Sequence, residues 1–337
     1  MKNNLKVSII IPVYNGDPYL EDALNSALGQ TYKNIEVIVV NDGSCDDGAT
    51  RKIVEKYQDQ IIYFEKDNGG VASALNYGIS KMTGDYFSWL SHDDIYFPNK
   101  IENQMAFLEK LKDKKVILYS DFVIYKQATR ATKYQKVMFK KESVRGVDLL
   151  CYPQVHGCTT LIPKECFEKV GKFDEDLLHY QDYDFWLRSL NSYRFVHVPE
   201  FLVVSRHHDS QNSVTGKSAR INEMRAFYKT YYKMFMGSNQ RIHYYFPELF
   251  INAYRLGDSE LYSELYKIFK EQLETKSLPG KLKAYALTAF FFKVRLITLM
   301  TKFVQYKLKN NSLWVKVRAN KSVTKFLKKD KFIGCYL

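Results

Sequence analysis

Two adjacent carboxylates close a short apolar run at Tyr86-Phe87-Ser88-Trp89-Leu90-Ser91-His92-Asp93-Asp94. The run predicts a strand over 86–90 that stops at a polar tip. The chain then leaves through Pro98 into a helical pattern over 101–111. In open α/β sheets, ligands bind just outside the carboxyl ends of the strands. Carboxylates placed there suit a hard divalent cation such as Mg²⁺ or Mn²⁺, which in turn holds phosphate. The same pair also reads as a plain loop and helix N-terminus, where Asp is common.

Other groups along the chain carry chemistry of the same kind, each with an ordinary structural reading beside it. Asp42 follows the apolar run 35–40, and Gly43 lets the backbone turn there. A carboxylate at that point can accept the N3–H of a flat heterocycle such as uracil, or simply close an Asx-turn. Asn68-Gly69-Gly70 opens a helical pattern, so its N–H groups suit a phosphate, although Asn-Gly-Gly is also a common turn. In Gln181-Asp182-Tyr183-Asp184-Phe185-Trp186-Leu187-Arg188, the i,i+4 spacing pairs Asp184 with Arg188 on one helical face. Asp182 lies near the start of that helix, as a general base or as a cap. Arg206-His207-His208 follows a strand; neutral imidazole is a ligand for Mn²⁺ and Arg suits diphosphate, while loop histidines are commonly just solvated.

The elements that must position these groups follow from hydrophobic periodicity. Continuous β-branched runs at 7–12 and 35–40, with further strands at 61–64 and 86–90, alternate with helical patterns at 19–28, 49–57 and 71–80. Such alternation predicts βαβ units on a parallel sheet, with every polar strand end on one rim. Asn15, Asp42, Asn68 and Asp93 should share that rim. Beyond it, strands are expected at 116–124, 157–162, 195–198 and 201–204, helices at 164–170 and 180–190, and a polar loop over 125–143. No G-x-G-x-x-G follows the first strand, where Val13-Tyr14-Asn15-Gly16 stands instead, so a dinucleotide oxidoreductase is not expected. A sugar nucleotidyltransferase would need a Gly-rich, basic loop at that place, and it is absent.

Length and composition fit one large domain with an appendage. The 337 residues include 26 Tyr and 22 Phe, which argues against disorder. Five Cys without paired metal spacing read as reduced thiols of a cytoplasmic protein, and the start of the chain leaves no room for a signal peptide. The formal charge of +13 belongs to the tail: residues 281–337 carry 14 Lys and Arg against Asp330 alone, while residues 1–280 balance at 36 and 36. A nucleic-acid-binding core is therefore not expected, and the tail is the part that meets something anionic.

Taken together, Val7-Ser-Ile-Ile-Ile-Pro-Val-Tyr-Asn15, Val40-Asn-Asp-Gly-Ser44, Asn68-Gly-Gly-Val-Ala-Ser-Ala-Leu-Asn76, Ser91-His-Asp-Asp94, Val170-Gly-Lys-Phe-Asp-Glu175, Gln181-Asp-Tyr-Asp184 and Arg206-His-His208 resemble the family 2 glycosyltransferases. These are inverting, nucleotide-sugar-dependent enzymes of the GT-A fold that build bacterial surface polysaccharides or glycoproteins. The resemblance spans residues 5–215 and implies an α/β fold with a catalytic domain over 1–217. By it, Pro12, Tyr14, Asn15 and Asp42 hold the nucleoside of a UDP-sugar, and Asn68 and Gly70 lie along the nucleotide. Asp93 binds Mn²⁺ or Mg²⁺ at the diphosphate, with His92 or Asp94 helping; Arg206 belongs to the same donor site and His208 completes the metal contacts. Asp182 is the catalytic base. Two positions depart from the family pattern: Ser91 replaces the first Asp of D-x-D, and Gln181 replaces the Glu before the base. The Gln-x-x-Arg-Trp signature of processive synthases is absent, so one sugar per visit is expected. A catalytically silent relative acting as a scaffold is the competing reading.

Residues 218–337 read as a helical, basic region. Apolar stretches at 284–292 and 296–300 are interrupted by Lys293 and Arg295, too short and charged to span a bilayer. They fit a helix lying on an anionic membrane surface, packing on the catalytic domain, or a homo-oligomer contact. The expected partners are the nucleotide-sugar and a lipid-linked or protein-linked glycan acceptor, met in the cytoplasm or at the inner face of the plasma membrane.

Overall fold

The β-branched run at the start of the chain forms β1 (Val7–Val13), buried along its whole length, as a strand covered on both faces must be. The computed structural model describes residues 5–237 apart from 138, 140–143, 145, 152–153, 210 and 212–216, together with 249, 252, 263–265 and 267. After β1 come α1 (Leu20–Leu28), β2 (Ile35–Asp42), α2 (Ala49–Glu55), β3 (Ile62–Lys66), α3 (Gly70–Lys81) and β4 (Tyr86–Trp89). β1 pairs in parallel with β2 and β4, and β2 with β3. With the short antiparallel β8 (Ile162–Pro163), the sheet order is β3-β2-β1-β4-β8. The order reverses between β1 and β4, so a crevice opens at their carboxyl ends. The expected rim is real.

A second sheet, in the order β5-β9-β6-β7, stands beside that crevice. It is built from β5 (Ile95–Tyr96), β6 (Val116–Lys126), β7 (Ala131–Gln135) and β9 (Arg194–His207). Here the structure departs from the sequence expectation three times. Residues 131–135, expected in a loop, form β7, an almost wholly exposed edge strand whose polar residues show no buried face to announce it. The two short strands at 195–198 and 201–204 are one strand, β9, with a register shift opposite Ser120–Phe122 that absorbs Pro199 and Glu200. The strand expected over 157–162 is mostly a 3₁₀ turn at Gly157–Thr159. Its Thr159 and Thr160 hydroxyls bond the carbonyls of His156 and Gly157, both at 2.7 Å.

Two helices tie the sheets to the site. α4 (Lys100–Lys110) carries the fully buried Lys100, whose Nζ donates to Ser88 Oγ on β4 at 2.8 Å and to Gln104 Oε1 at 2.9 Å. Burial pushes that ammonium down to about 7. α5 (Gly146–Cys151) and α6 (Lys164–Val170) lead to α7 (Gln181–Ser189). Arg188 reaches from α7 to Asp184 and to the carbonyls of Val170 and Lys172, each at 2.8 Å. The expected i,i+4 pair is therefore structural.

The chain divides into two units, Met1–Tyr262 and Ser263–Leu337. α8 (Lys217–Gly237) belongs to the first unit and packs on α5 and α7. Phe227 lies 5.2 Å from the Tyr180 ring, Tyr228 donates to the Leu150 carbonyl, and Tyr231 donates to Asp184. Among the described residues, no helix is long and apolar enough to cross a membrane. The stretches 284–292 and 296–300, on which the membrane-surface expectation rests, lie outside the described residues.

Candidate active site

Asp93 sits in the turn just past the carboxyl end of β4, against the turn that follows β9. Its Oδ2 lies 3.1 Å from His208 Nε2 and accepts from Gln211 Nε2 at 3.1 Å. Both side chains of the Asp93–His208 pair are largely buried, and His208 stacks on Tyr19 with ring centroids 4.4 Å apart. Burial alone would raise the Asp93 carboxyl. The neighbouring His92 ring and the bonds from Gln211 and His208 outweigh it, so the group is held below its ordinary value. His92 is itself pushed down by burial and hydrogen-bonds the Pro12 carbonyl, which joins the ends of β1 and β4. Two ligands of an octahedral cation, each about 2.1 Å from it at a right angle, stand about 3 Å apart. The separation of Asp93 Oδ2 from His208 Nε2 matches that, so the pair fits a divalent cation.

Asp94 faces the interior instead. Its Oδ1 accepts from the Arg206 backbone N–H at 2.9 Å, and its Oδ2 lies 3.7 Å from His156 Nε2. Asp94, His156 and Cys158 bring one ligand atom each within 4.8 Å of one another. Burial raises the Asp94 carboxyl and the Cys158 thiol and lowers His156 to about 4. His156 Nδ1 accepts from the Cys158 N–H, leaving the proton on Nε2 toward Asp94 and Ser205. These three side chains form a packed floor beside the Asp93 turn. Arg206 spends its guanidinium on Asp22 of α1 at 2.8 Å and on the Tyr19 ring. It braces the site and does not extend into the crevice.

The loops after β1 and β2 are laced together. Asn15, in the left-handed region at φ 51°, donates its N–H to Ser44 Oγ at 2.9 Å and accepts from the Cys45 N–H at 2.9 Å. Tyr14 is half-exposed beside them, its hydroxyl 3.1 Å from Cys45 Sγ. The Asx-turn weighed for Asp42 is made by Asn41, whose Oδ1 accepts from the Ser44 N–H and hydroxyl. Asp42 has another place. Its buried carboxylate accepts from Gly69 and Gly70 N–H, the latter at 2.7 Å, and from Lys66 Nζ at 2.8 Å. It thus sits at the positive end of α3, where the sequence suggested a phosphate. Asn68 donates to the Asp42 carbonyl at 2.8 Å. Gly43 is required here: its φ is 69°, and a Cβ would come within 2.7 Å of the Asn68 nitrogen.

Asp182 lies in the first turn of α7, where its Oδ1 accepts from the Tyr183 N–H at 2.8 Å. Burial raises its carboxyl to about 7, the Tyr183 and Asp182 amides oppose the rise, and the Glu223 carboxylate adds to it. A base titrating near neutrality is matched to proton abstraction at physiological pH. The Tyr183 hydroxyl donates to the Val155 carbonyl, one residue from His156, so α7 is anchored beside the floor of the Asp93 turn. A Cβ on Gly70 would touch Leu178, which sets the loop before α7 against the start of α3.

The structure therefore brings Pro12, Tyr14, Asn15, Asp42, Asn68, Gly70, His92, Asp93 and His208 to the carboxyl edge of one sheet. Sequence reasoning passed over His156, Cys158, Gln211 and Glu223. The first two were legible only as a His-x-Cys triplet in a stretch expected to be a strand. Gln211 and Glu223 carry no motif, and only the fold places them.

Known proteins share both the sequence pattern and the fold. The model of the family described as Glycosyl transferase family 2 matches residues 8–171. An uncharacterised glycosyltransferase of Rickettsia typhi is 48% identical over 233 residues, covering 67% of this chain and 71% of that protein. Other rickettsial relatives are longer, and the chain spans only 35% of the length of two of them. The structure of S. aureus TarS 1–349 in complex with UDP is similar with a TM-score of 0.54 at 17% identity, covering 82% of this chain and 77% of that one. A mannosyltransferase from Pyrobaculum calidifontis, solved with GDP-Man and Mn²⁺, is similar with a TM-score of 0.53 at 21% identity, covering 88% and 81%. At these identities the likeness concerns the fold, which is that of the GT-A glycosyltransferases.

Proposed function

The chain belongs to glycosyltransferase family 2, and from that premise we propose that it is an inverting enzyme moving one sugar from a UDP-sugar to a glycan hydroxyl. The observation that carries this reading is the buried Asp93–His208 pair, 3.1 Å apart at the carboxyl end of β4 and spaced for a divalent cation. When bound there, Mn²⁺ or Mg²⁺ supplies Lewis-acid stabilisation of the charge that develops on the leaving diphosphate. His208 would offer Nε2 as its ligand atom. His92 ties the Asp93 turn to the Pro12 carbonyl, and Asp94 holds it from below.

The donor nucleoside rests on the laced loops of Tyr14 and Asn15. Asp42 already accepts from Lys66, Gly69 and Gly70. The Gly69 N–H is shared by both oxygens, so all of the roughly four lone-pair sites of the carboxylate are engaged, and a base edge would have to replace the long Gly69 contact of 3.2 Å. Asn68 and Gly70 line the path toward the diphosphate. Asp182 takes the proton of the acceptor hydroxyl as that oxygen attacks the anomeric carbon opposite the diphosphate, giving a single displacement with inversion. The acceptor is a lipid-linked or protein-linked glycan met in the cytoplasm or at the inner face of the plasma membrane. The domain of 1–217, with α8 packed on it, carries the transfer, and the basic region beyond α8 serves acceptor, membrane or oligomer contact.

The test is turnover. The full chain incubated with a panel of UDP-sugars, an acceptor glycan and Mn²⁺ should release UDP and give a product of inverted anomeric configuration by NMR. A product that keeps the donor's configuration would contradict the single displacement.

A further inference from the structure

Three consecutive backbone N–H groups converge on one side chain immediately before α7. Glu223 of α8 accepts from Leu178 at 3.1 Å through Oε2, and from His179 at 2.8 Å and Tyr180 at 2.7 Å through Oε1. These residues form the loop that leads into Gln181 and Asp182. Successive N–H groups of this kind make a concave nest for an anion, and here the anion comes from a different helix. The residue beside Asp182 in sequence, Gln181, is neutral. The carboxylate that acts on Asp182 is Glu223.

We propose that Glu223 is a positioning residue of the transfer site: from α8 it clamps the 178–180 loop and sets a negative charge beside Asp182. This rests on Asp182 being the base. One side chain then does two things, fixing where α7 begins and opposing ionisation of the group that must take a proton. Burial alone raises Asp182, and Glu223 adds to that rise. The other groups around it are Tyr180 and Tyr183 from the start of α7, Tyr228 from α8 facing Tyr183, and Arg220 from α8 facing Tyr180. Phe227 on the Tyr180 ring and Tyr231 on Asp184, one and two turns further along α8, hold α8 against α7 and so fix the position of Glu223. α8 is thereby part of the active-site scaffold.

The experiment reads the pH at which Asp182 titrates in the full chain, without any substrate. The difference in thermal unfolding between wild type and Asp182→Asn, followed across pH, gives that midpoint. The same difference is then taken in the Glu223→Gln background. Gln keeps an acceptor oxygen for the His179 and Tyr180 N–H groups but carries no charge. The midpoint should fall by roughly half a unit to one unit, and the acid limb of kcat/KM should move with it. Glu223→Ala, which empties the nest, should move the midpoint the same way and also lower kcat about tenfold or more, with Glu223→Asp restoring part of it. A midpoint unchanged in both Glu223→Gln and Glu223→Ala would overturn the proposal, since a merely structural clamp leaves it in place. If Asp182→Asn turns over like wild type, the base assignment falls and Glu223 falls with it. If Asp182→Asn is inactive while the midpoint stays put, only the role of Glu223 is lost.

Discussion

A carboxyl group raised to about 7 by burial has consequences for stability as well as for rate. The native state binds a proton at Asp182 between the ordinary carboxylate range and pH 7, where the unfolded chain does not. Its contribution is therefore fully present at low pH and is lost as pH rises through 7. Asp182→Asn should abolish turnover, on the order of 10²- to 10⁴-fold in kcat, and yet melt at a higher temperature than wild type at pH 8. That margin should shrink toward pH 4. A variant both inactive and less stable at pH 8 would mean that Asp182 serves the fold. By the same reasoning kcat/KM should fall about tenfold per unit below pH 7, checked with a pH–rate profile. Asp93 and His208 stood out in the sequence as groups after expected strands and Asp182 as a group at a helix start, and it was the family resemblance that gave them roles. What the sequence withheld was their surroundings, because the groups facing them come from distant segments: Gln211 stands 118 residues from Asp93, and Glu223 lies on a different helix from Asp182.

The alternation of apolar runs and helical patterns placed β1 through β4 and their helices within a few residues, since buried parallel strands carry a signal of their own. Elements with no buried face carried none. β7 is polar and exposed, and β9 changes register at Pro199-Glu200, which reads as a break until its neighbour β6 is seen to pair on both sides of it. Glycines carry predictions at this scale. Gly43→Ala should cost about 1–3 kcal/mol, because it combines a positive φ with a Cβ 2.7 Å from backbone, and it should loosen the Asp42–Asn68 corner. Gly157→Ala should cost a similar amount, since its Cβ would lie 2.4 Å from the fully packed Trp89 ring. Denaturant titration of each variant measures both. Wild-type midpoints in either case would contradict the packing described.

At the scale of the whole molecule, charge is divided between a neutral body and a basic end. The charge balance of residues 1–280 and the excess of +13 beyond them were readable from the sequence alone. The helical text from 218 did not announce that α8 would pack on α7 and carry Glu223 to the site. If the tail meets an anionic bilayer, the full chain should co-sediment with phosphatidylglycerol vesicles and be released by high salt, while a neutral phosphatidylcholine vesicle leaves it in solution. Equal binding to both vesicles would rule out the electrostatic contact.

In the proposed reaction Asp93 and His208 hold a cation, which in turn would hold a nucleoside diphosphate. Calorimetric titration of UDP into the full chain, with and without Mn²⁺, on wild type and on Asp93→Ala, tests it most directly. Wild type should bind UDP in an Mn²⁺-dependent way, and Asp93→Ala should lose that binding while still melting cooperatively. Binding of UDP that is indifferent to Mn²⁺ and to Asp93, or no binding at all, would contradict it.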